Sequence, residues 1–171
     1  GLRFYDRREI KDAIAYLKVL VNSSDNVSLL RVINVPRRGI GKTTIQKLND
    51  LSARLNIPLW EVLNDKQSLE ETIGRSSKGI NKFTALMNDL LCYLENSGPA
   101  QLLQLILEKS GYISDLLASN TEESEERRNN LQELINAATQ YEEETENGDV
   151  EGFLSTAALT TDNDTKKNNP K

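Results

Sequence analysis

Apolar residues recur at three- and four-residue steps through most of the chain, and no alternation of apolar with polar residues runs longer than four or five positions. That pattern predicts an all-α protein. Ile10, Ala13, Ile14, Leu17, Leu20 and Val21 repeat at helical spacing, so a first helix is expected from Arg7 to Asn22, with Asp6 and Glu9 at capping-box spacing before it. Ser23-Ser24-Asp25-Asn26 breaks the pattern. A shorter helix is expected from Val27 to Val35, stopped by Pro36 and the glycines after it. A third begins at Gly41 or Lys42 and carries Ile45, Leu48, Leu51 and Leu55 on one face. Pro58 suits the first turn of a brief helix through Leu63. Residues 65–79, mostly polar with Gly74 and Gly79, read as a loop with room for one helical turn.

The second half continues in the same manner. Ile80, Phe83, Leu86, Met87, Leu90, Leu91 and Leu94 make the widest apolar stripe, which ends at Gly98-Pro99. Helices near Ala100 to Lys109 and Tyr112 to Ala118 are separated by Ser110-Gly111, and a long charged helix from Glu122 to Glu146 stops at Gly148. A last short helix is expected from Val150 to Leu159. Thr160 to Lys171 contains no large apolar residue, so a disordered tail is expected there. The expected organisation is a compact multi-helix domain over residues 1–159 and a polar tail over 160–171.

Composition and charge sharpen the picture. With no histidine and a single cysteine, Cys92, the chain has no Cys/His zinc site, Ser-His-Asp triad, Cys-His pair or internal disulfide. Cys92 falls within the widest stripe and is expected to be core packing. No run of about 18 apolar residues or basic-then-apolar leader occurs, which fits a soluble, cytoplasmic, nucleoid-associated chain with no membrane partner. The sequence opens at Gly1 and runs directly into helical pattern, as expected of an excised piece of a longer protein. The formal net charge of −5 divides unevenly: residues 1–48 carry ten Lys or Arg against four Asp or Glu, while the remainder is strongly acidic. Any polyanion contact is therefore expected in the first third. The Glu122–Glu126 and Glu142–Glu146 clusters read as solvated helix faces.

The chemistry concentrates in Leu30-Arg-Val-Ile-Asn-Val-Pro-Arg-Arg-Gly-Ile-Gly-Lys-Thr-Thr-Ile-Gln-Lys-Leu48. Gly41-Lys42-Thr43 is not a nucleotide-binding P-loop, because Pro36 occupies the position of its first glycine and a helix, not a strand, precedes it. A hairpin between two helices fits better. Gly39 and Gly41 permit positive backbone torsions and unobstructed amides, Ile40 pins the turn from inside, and Lys42, Thr43 and Thr44 sit where a phosphate would meet the next helix. Arg37 and Arg38 flank it. Lys11 and Lys18, seven residues apart, share one face of the first helix. This resembles the helix-hairpin-helix element that grips sugar-phosphate backbone without reading bases. The plainer alternative is that Gly-Ile-Gly only joins two helices of a bundle. Trp60 is expected to brace the core or hairpin rather than stack on bases, and Phe4 and Tyr5 to staple the first helix or pack against a neighbouring domain.

Gly1-Leu-Arg-Phe-Tyr-Asp-Arg-Arg-Glu-Ile-Lys-Asp-Ala-Ile-Ala-Tyr-Leu17 closely resembles the join between the second motor domain and its insertion, the 2B subdomain, in UvrD/PcrA/Rep-type superfamily 1 DNA helicases. Gly39-Ile40-Gly41, Leu107-Glu-Lys-Ser-Gly-Tyr112, Asn130-Leu-Gln-Glu-Leu134 and Phe153-Leu-Ser-Thr-Ala-Ala-Leu159 continue the resemblance in order. It implies an accessory subdomain of an ATP-dependent 3′-to-5′ helicase that holds duplex ahead of the single-strand/double-strand junction and regulates unwinding by swivelling. The resemblance places Gly39, Ile40, Gly41, Lys42 and Thr43 in the duplex grip, and Lys11 and Lys18 on the neighbouring basic helix. ATP and Mg would bind the parent's motor domains, so this piece alone carries no cofactor and no ATP hydrolysis. Implied partners are duplex DNA, the motor domains and repair or replication proteins. The alternative is a protein-interaction or autoinhibitory module that docks on the motor domains or partner proteins without touching DNA.

Overall fold

A computed structural model describes the backbone of residues 2–168 and the side chains of residues 2–162. Among the described residues ten α-helices form: α1 (Arg8–Val21), α2 (Asn26–Val32), α3 (Lys42–Leu55), α4 (Leu59–Asn64), α5 (Lys66–Ile73), α6 (Ser77–Leu91), α7 (Pro99–Lys109), α8 (Tyr112–Ser119), α9 (Glu122–Glu144) and α10 (Val150–Asn168). Short 3-10 turns cover Phe4–Asp6 and Gly74–Ser76, and no strand occurs among the described residues.

α1 is the axis of the packing. Its Ile10, Tyr16 and Leu17 are wholly buried, and it touches α2, α6, α7, α9 and α10. α3, α4, α5 and α6 pack together as a neighbouring group, joined to the rest through α1·α6, α2·α4 and α6·α7 contacts. Phe83 and Met87 on α6, Leu102 and Leu103 on α7, and Leu134 on α9 lie in the same continuous core. Half-buried Trp60 packs against that core, as its sequence context suggested.

Local signals explain most boundaries. Asp25 caps α2, its Oδ1 accepting from the Ser28 amide at 3.1 Å. Pro99 opens α7, where its missing N–H costs nothing. The expected capping box before α1 does not form: Asp6 instead accepts from Arg3 Nε at 3.0 Å, and Glu9 is buried. The expected loop over residues 65–79 is corrected to a helix, a 3-10 turn and the start of α6, with Asp65 capping α5 through the Ser68 amide. Cys92 also departs from expectation. It lies just beyond α6 and is exposed, its Sγ turned back toward the Asn88 carbonyl. The backbone of α10 runs from Val150 past Leu159 to Asn168, whereas the expected tail at 160–171 lies largely outside the residues whose side chains are described.

α1 also buries two carboxylates, and both reach partners far along the chain. Asp12 Oδ1 accepts from Arg31 Nε at 3.0 Å and Oδ2 from the Tyr112 hydroxyl at 2.7 Å. Glu9 accepts from Asn130 Nδ2 at 2.8 Å, and Arg7 donates to the other end of the same amide at 2.9 Å. Desolvation at α1 is thus offset by hydrogen bonds from α2, α8 and α9.

Burial pushes the Tyr112 hydroxyl far above its ordinary value, and the Asp12 carboxylate pushes it in the same direction. The folded state therefore keeps this proton while the unfolded chain loses it above about pH 10. Tyr112's contribution is intact below that pH and falls by about 1.4 kcal/mol for each further pH unit. Tyr112→Phe should lower stability at pH 8 yet lose less of what remains on going to pH 11. Urea midpoints at the two pH values measure this. Equal alkaline losses in both proteins would show that Tyr112 is not the titrating group. Some loss persists in the variant, because burial also raises Tyr5 and Tyr16.

Candidate nucleic-acid interface

The chain between α2 and α3 turns tightly and carries the glycine motif. The Val35–Pro36 peptide is cis, and Asn34 Oδ1 accepts from the backbone amides of Arg38 (2.6 Å) and Ile40 (3.2 Å). Gly39 between them adopts φ +74°, a conformation that glycine takes without strain. Ile40 points inward and is 3% exposed, as a pin for the turn should be. Gly41 differs from expectation: its φ of −88° is open to any residue, and a side chain there would meet nothing within 4 Å.

Gly41 is the N-cap of α3, and no side chain caps the helix. The amides of the first turn have no intrahelical acceptor, and the positive end of the helix dipole lies with them. Lys42 and Thr43 are exposed there and Thr44 is half-buried. An anionic oxygen approaching this end would meet free amides, an ammonium and two hydroxyls at once.

The structure also adds groups that the sequence reading missed. A cleft beside the hairpin is lined by Arg38, Gly39, Arg75, Ser76, Lys78, Gly79 and Lys82, and no carboxylate among the described residues lines it. Arg75, Lys78 and Lys82 are spaced three and four apart, the spacing of one helical face, but they fall in and beside a segment read as a loop. Gly79 makes this closeness possible. A β-carbon at that position would stand 2.4 Å from the Arg38 carbonyl oxygen and 3.1 Å from Ile40 Cγ1.

Four of the expected contact residues are placed elsewhere. Arg38 turns inward: Nη1 donates to the carbonyls of Val32 (2.9 Å), Ile33 (3.1 Å) and Val35 (3.2 Å), and Nη2 to the Tyr16 hydroxyl (2.6 Å). Its guanidinium lies 5.2 Å from the Phe83 ring centroid. Tyr16 in turn donates to the Val35 carbonyl; burial raises this phenol despite the opposing pull of Arg38. Lys11 and Lys18 project from a different side of α1 than Tyr16, into a groove with Ile14, Val27, Leu154 and Ala157. Arg37 is exposed, but it opens on a third cleft where Arg8 and Arg127 are balanced by Asp12 and Asp115.

A model of the UvrD-like helicase C-terminal domain matches residues 1–171. This chain belongs to that helicase family. The ATP-dependent DNA helicases PcrA of Staphylococcus aureus and Staphylococcus epidermidis are each 35% identical to it over 169 residues, covering 96% of this chain and 23% of theirs. The chain thus spans less than a quarter of the length of these relatives. A helix and a prolyl turn, not the strand of a P-loop, lead into Gly41-Lys42-Thr43 and α3. No group of three or more His, Cys, Asp or Glu among the described residues is placed to hold a metal ion. No helix among the described residues is long and apolar enough to cross a membrane.

Residues of three segments that carry the sequence resemblance have physical roles in this fold. Tyr112 and Asn130 satisfy the carboxylates buried in α1, and Phe153 packs edge-on against Tyr141 at a centroid distance of 5.8 Å.

Proposed function

We propose that this helicase domain is a 2B-type subdomain that grips the sugar-phosphate backbone of duplex DNA, without reading bases, ahead of the unwinding junction. The observation that carries the reading is the uncapped start of α3 beside the carboxylate-free Arg75, Lys78 and Lys82 cleft. Free amides bind one phosphate, and the cations on α6 and its preceding turn follow the strand onward. Gly39, Gly41, Lys42, Thr43 and Thr44 form the grip, with Ile40 holding it from beneath. Within the whole helicase, the motor domains supply ATP hydrolysis and pull the 3′ strand, and swivelling of this domain regulates unwinding. Bacterial cytoplasm with the nucleoid is the setting, and repair or replication proteins are further partners.

Salt dependence tests the grip. With three or four phosphates neutralised, log affinity should fall against log salt with a slope of about −3. Lys78→Gln should lower duplex affinity and flatten that slope by about 0.9, whereas Lys11→Gln should leave the slope unchanged. Salt-insensitive binding, or a preference for single strands, would remove this reading.

A second reading is supported by the groove of α1, α2 and α10. Lys11 and Lys18 rim an apolar floor there, a combination that suits docking on a motor domain or partner protein. Binding of motor domains by a chain with no duplex affinity at low salt would favour it.

A further inference from the structure

The hairpin meets solvent through its amides and Lys42, yet its shape is set by Asn34 and Arg38. Asn34 holds the amides of Arg38 and Ile40, on either side of Gly39. The Arg38 guanidinium extends the opposite way, across the carbonyls of Val32, Ile33 and Val35 at and just beyond the end of α2, of which Val32 also accepts from the Val35 amide. From there it reaches Tyr16 on α1 and the face of Phe83 on α6. One planar side chain therefore ties the hairpin to both neighbouring helices. Both terminal nitrogens, Nη1 and Nη2, donate to acceptors of the protein, and a lysine ammonium cannot span the same set.

We propose that Arg38 is a positioning residue that presets the hairpin for a phosphate while contributing no charge to the bound backbone. The DNA part of this inference rests on the duplex-grip reading above; the positioning part stands apart from it. A preset loop loses less conformational freedom on binding, so loosening it should weaken affinity without changing how many phosphates are neutralised. That separates Arg38 from Lys78, whose removal should alter the slope.

The test uses the whole 171-residue chain, a short fluorescent duplex at several salt concentrations, and amide hydrogen exchange at residues 38 and 40. Arg38→Lys should retain helical circular dichroism, bind duplex about five- to tenfold more weakly at every salt concentration, and keep the wild-type slope. The amides of residues 38 and 40 should exchange about tenfold faster. Tyr16→Phe removes one of the arginine's partners and should shift exchange the same way by less. Wild-type affinity and exchange in Arg38→Lys would overturn the proposal. So would a slope flattened by about 0.9 in Arg38→Gln and restored by Arg38→Lys, which marks direct phosphate contact. Should the wild-type chain bind no duplex, the grip reading fails, while exchange still decides positioning: faster exchange supports it and unchanged exchange overturns it. Should Arg38→Lys fail to fold, unchanged exchange in Tyr16→Phe overturns it.

Discussion

Replacing Asp12 with alanine is expected to lower the unfolding free energy by about 2–4 kcal/mol. The carboxylate is 3% exposed and accepts from two groups on different helices, Arg31 on α2 and Tyr112 on α8. Removal strands the Tyr112 hydroxyl, which has little access to water, and leaves a void beneath it. Arg31 suffers less. Its side chain is 37% exposed and can be hydrated, which keeps the cost below that of breaking a fully buried pair. Asp12→Asn keeps the shape and one acceptor, so it should cost about half as much. Equilibrium urea unfolding, combined with Tyr112→Phe in a double-mutant cycle, measures the coupling directly. A loss below about 1 kcal/mol for Asp12→Ala would mean that the buried contacts contribute no net stability.

Gly79→Ala should have the largest effect on the hairpin itself. The new methyl would begin 2.4 Å from a backbone carbonyl oxygen, which cannot rotate away as the end of a side chain would. Either α6 or the turn at Arg38 must move. Overpacking of this kind costs about 1–3 kcal/mol, partly offset by the higher helix propensity of alanine, about 1 kcal/mol. The larger consequence is geometric: the turn shifts away from Arg75, Lys78 and Lys82, so duplex affinity should fall about tenfold or more at low salt through lost preorganisation. Ser77→Ala is the matching control, since Ser77 also lies in the first turn of α6 but does not line the cleft. Equal affinities for the two variants would show that the close approach at Gly79 is not what aligns the hairpin with the cleft.

The helices with uninterrupted apolar stripes, α1, α3, α6 and α7, are legible in the sequence to within a few residues. α5 is not, because Leu69 is its only deeply buried residue and one leucine makes no stripe; the cap at Asp65 is its better signal. The turn between α2 and α3 is legible because Pro36, Gly39 and Gly41 interrupt the helical pattern within a few residues. Arg75 and Lys78 are hidden by the same weak pattern that hides α5, and Lys82 stands on a legible helix whose nearness to Gly39 only the fold shows. Arg38 shows a different limit. A basic residue beside a glycine turn expected to meet a phosphate reads as a contact, and only the fold reveals that the carbonyls of Val32, Ile33 and Val35 accept from it. Likewise, nothing in a linear pattern links Asp12 with a tyrosine 100 positions away.

That separation carries a consequence for synthesis on the ribosome. α1 emerges early, but Asp12 gains Tyr112 only when α8 begins and Glu9 gains Asn130 only within the first half of α9, separations of 100 and 121 residues. At about 5–20 residues per second, the nascent first helix spends many seconds with two carboxylates that cannot be buried without their partners. Local helix formation is far faster than this wait. The basic first third is therefore made before the acidic half that braces it, and a chain truncated before α9 carries the glycine hairpin on an unfinished support.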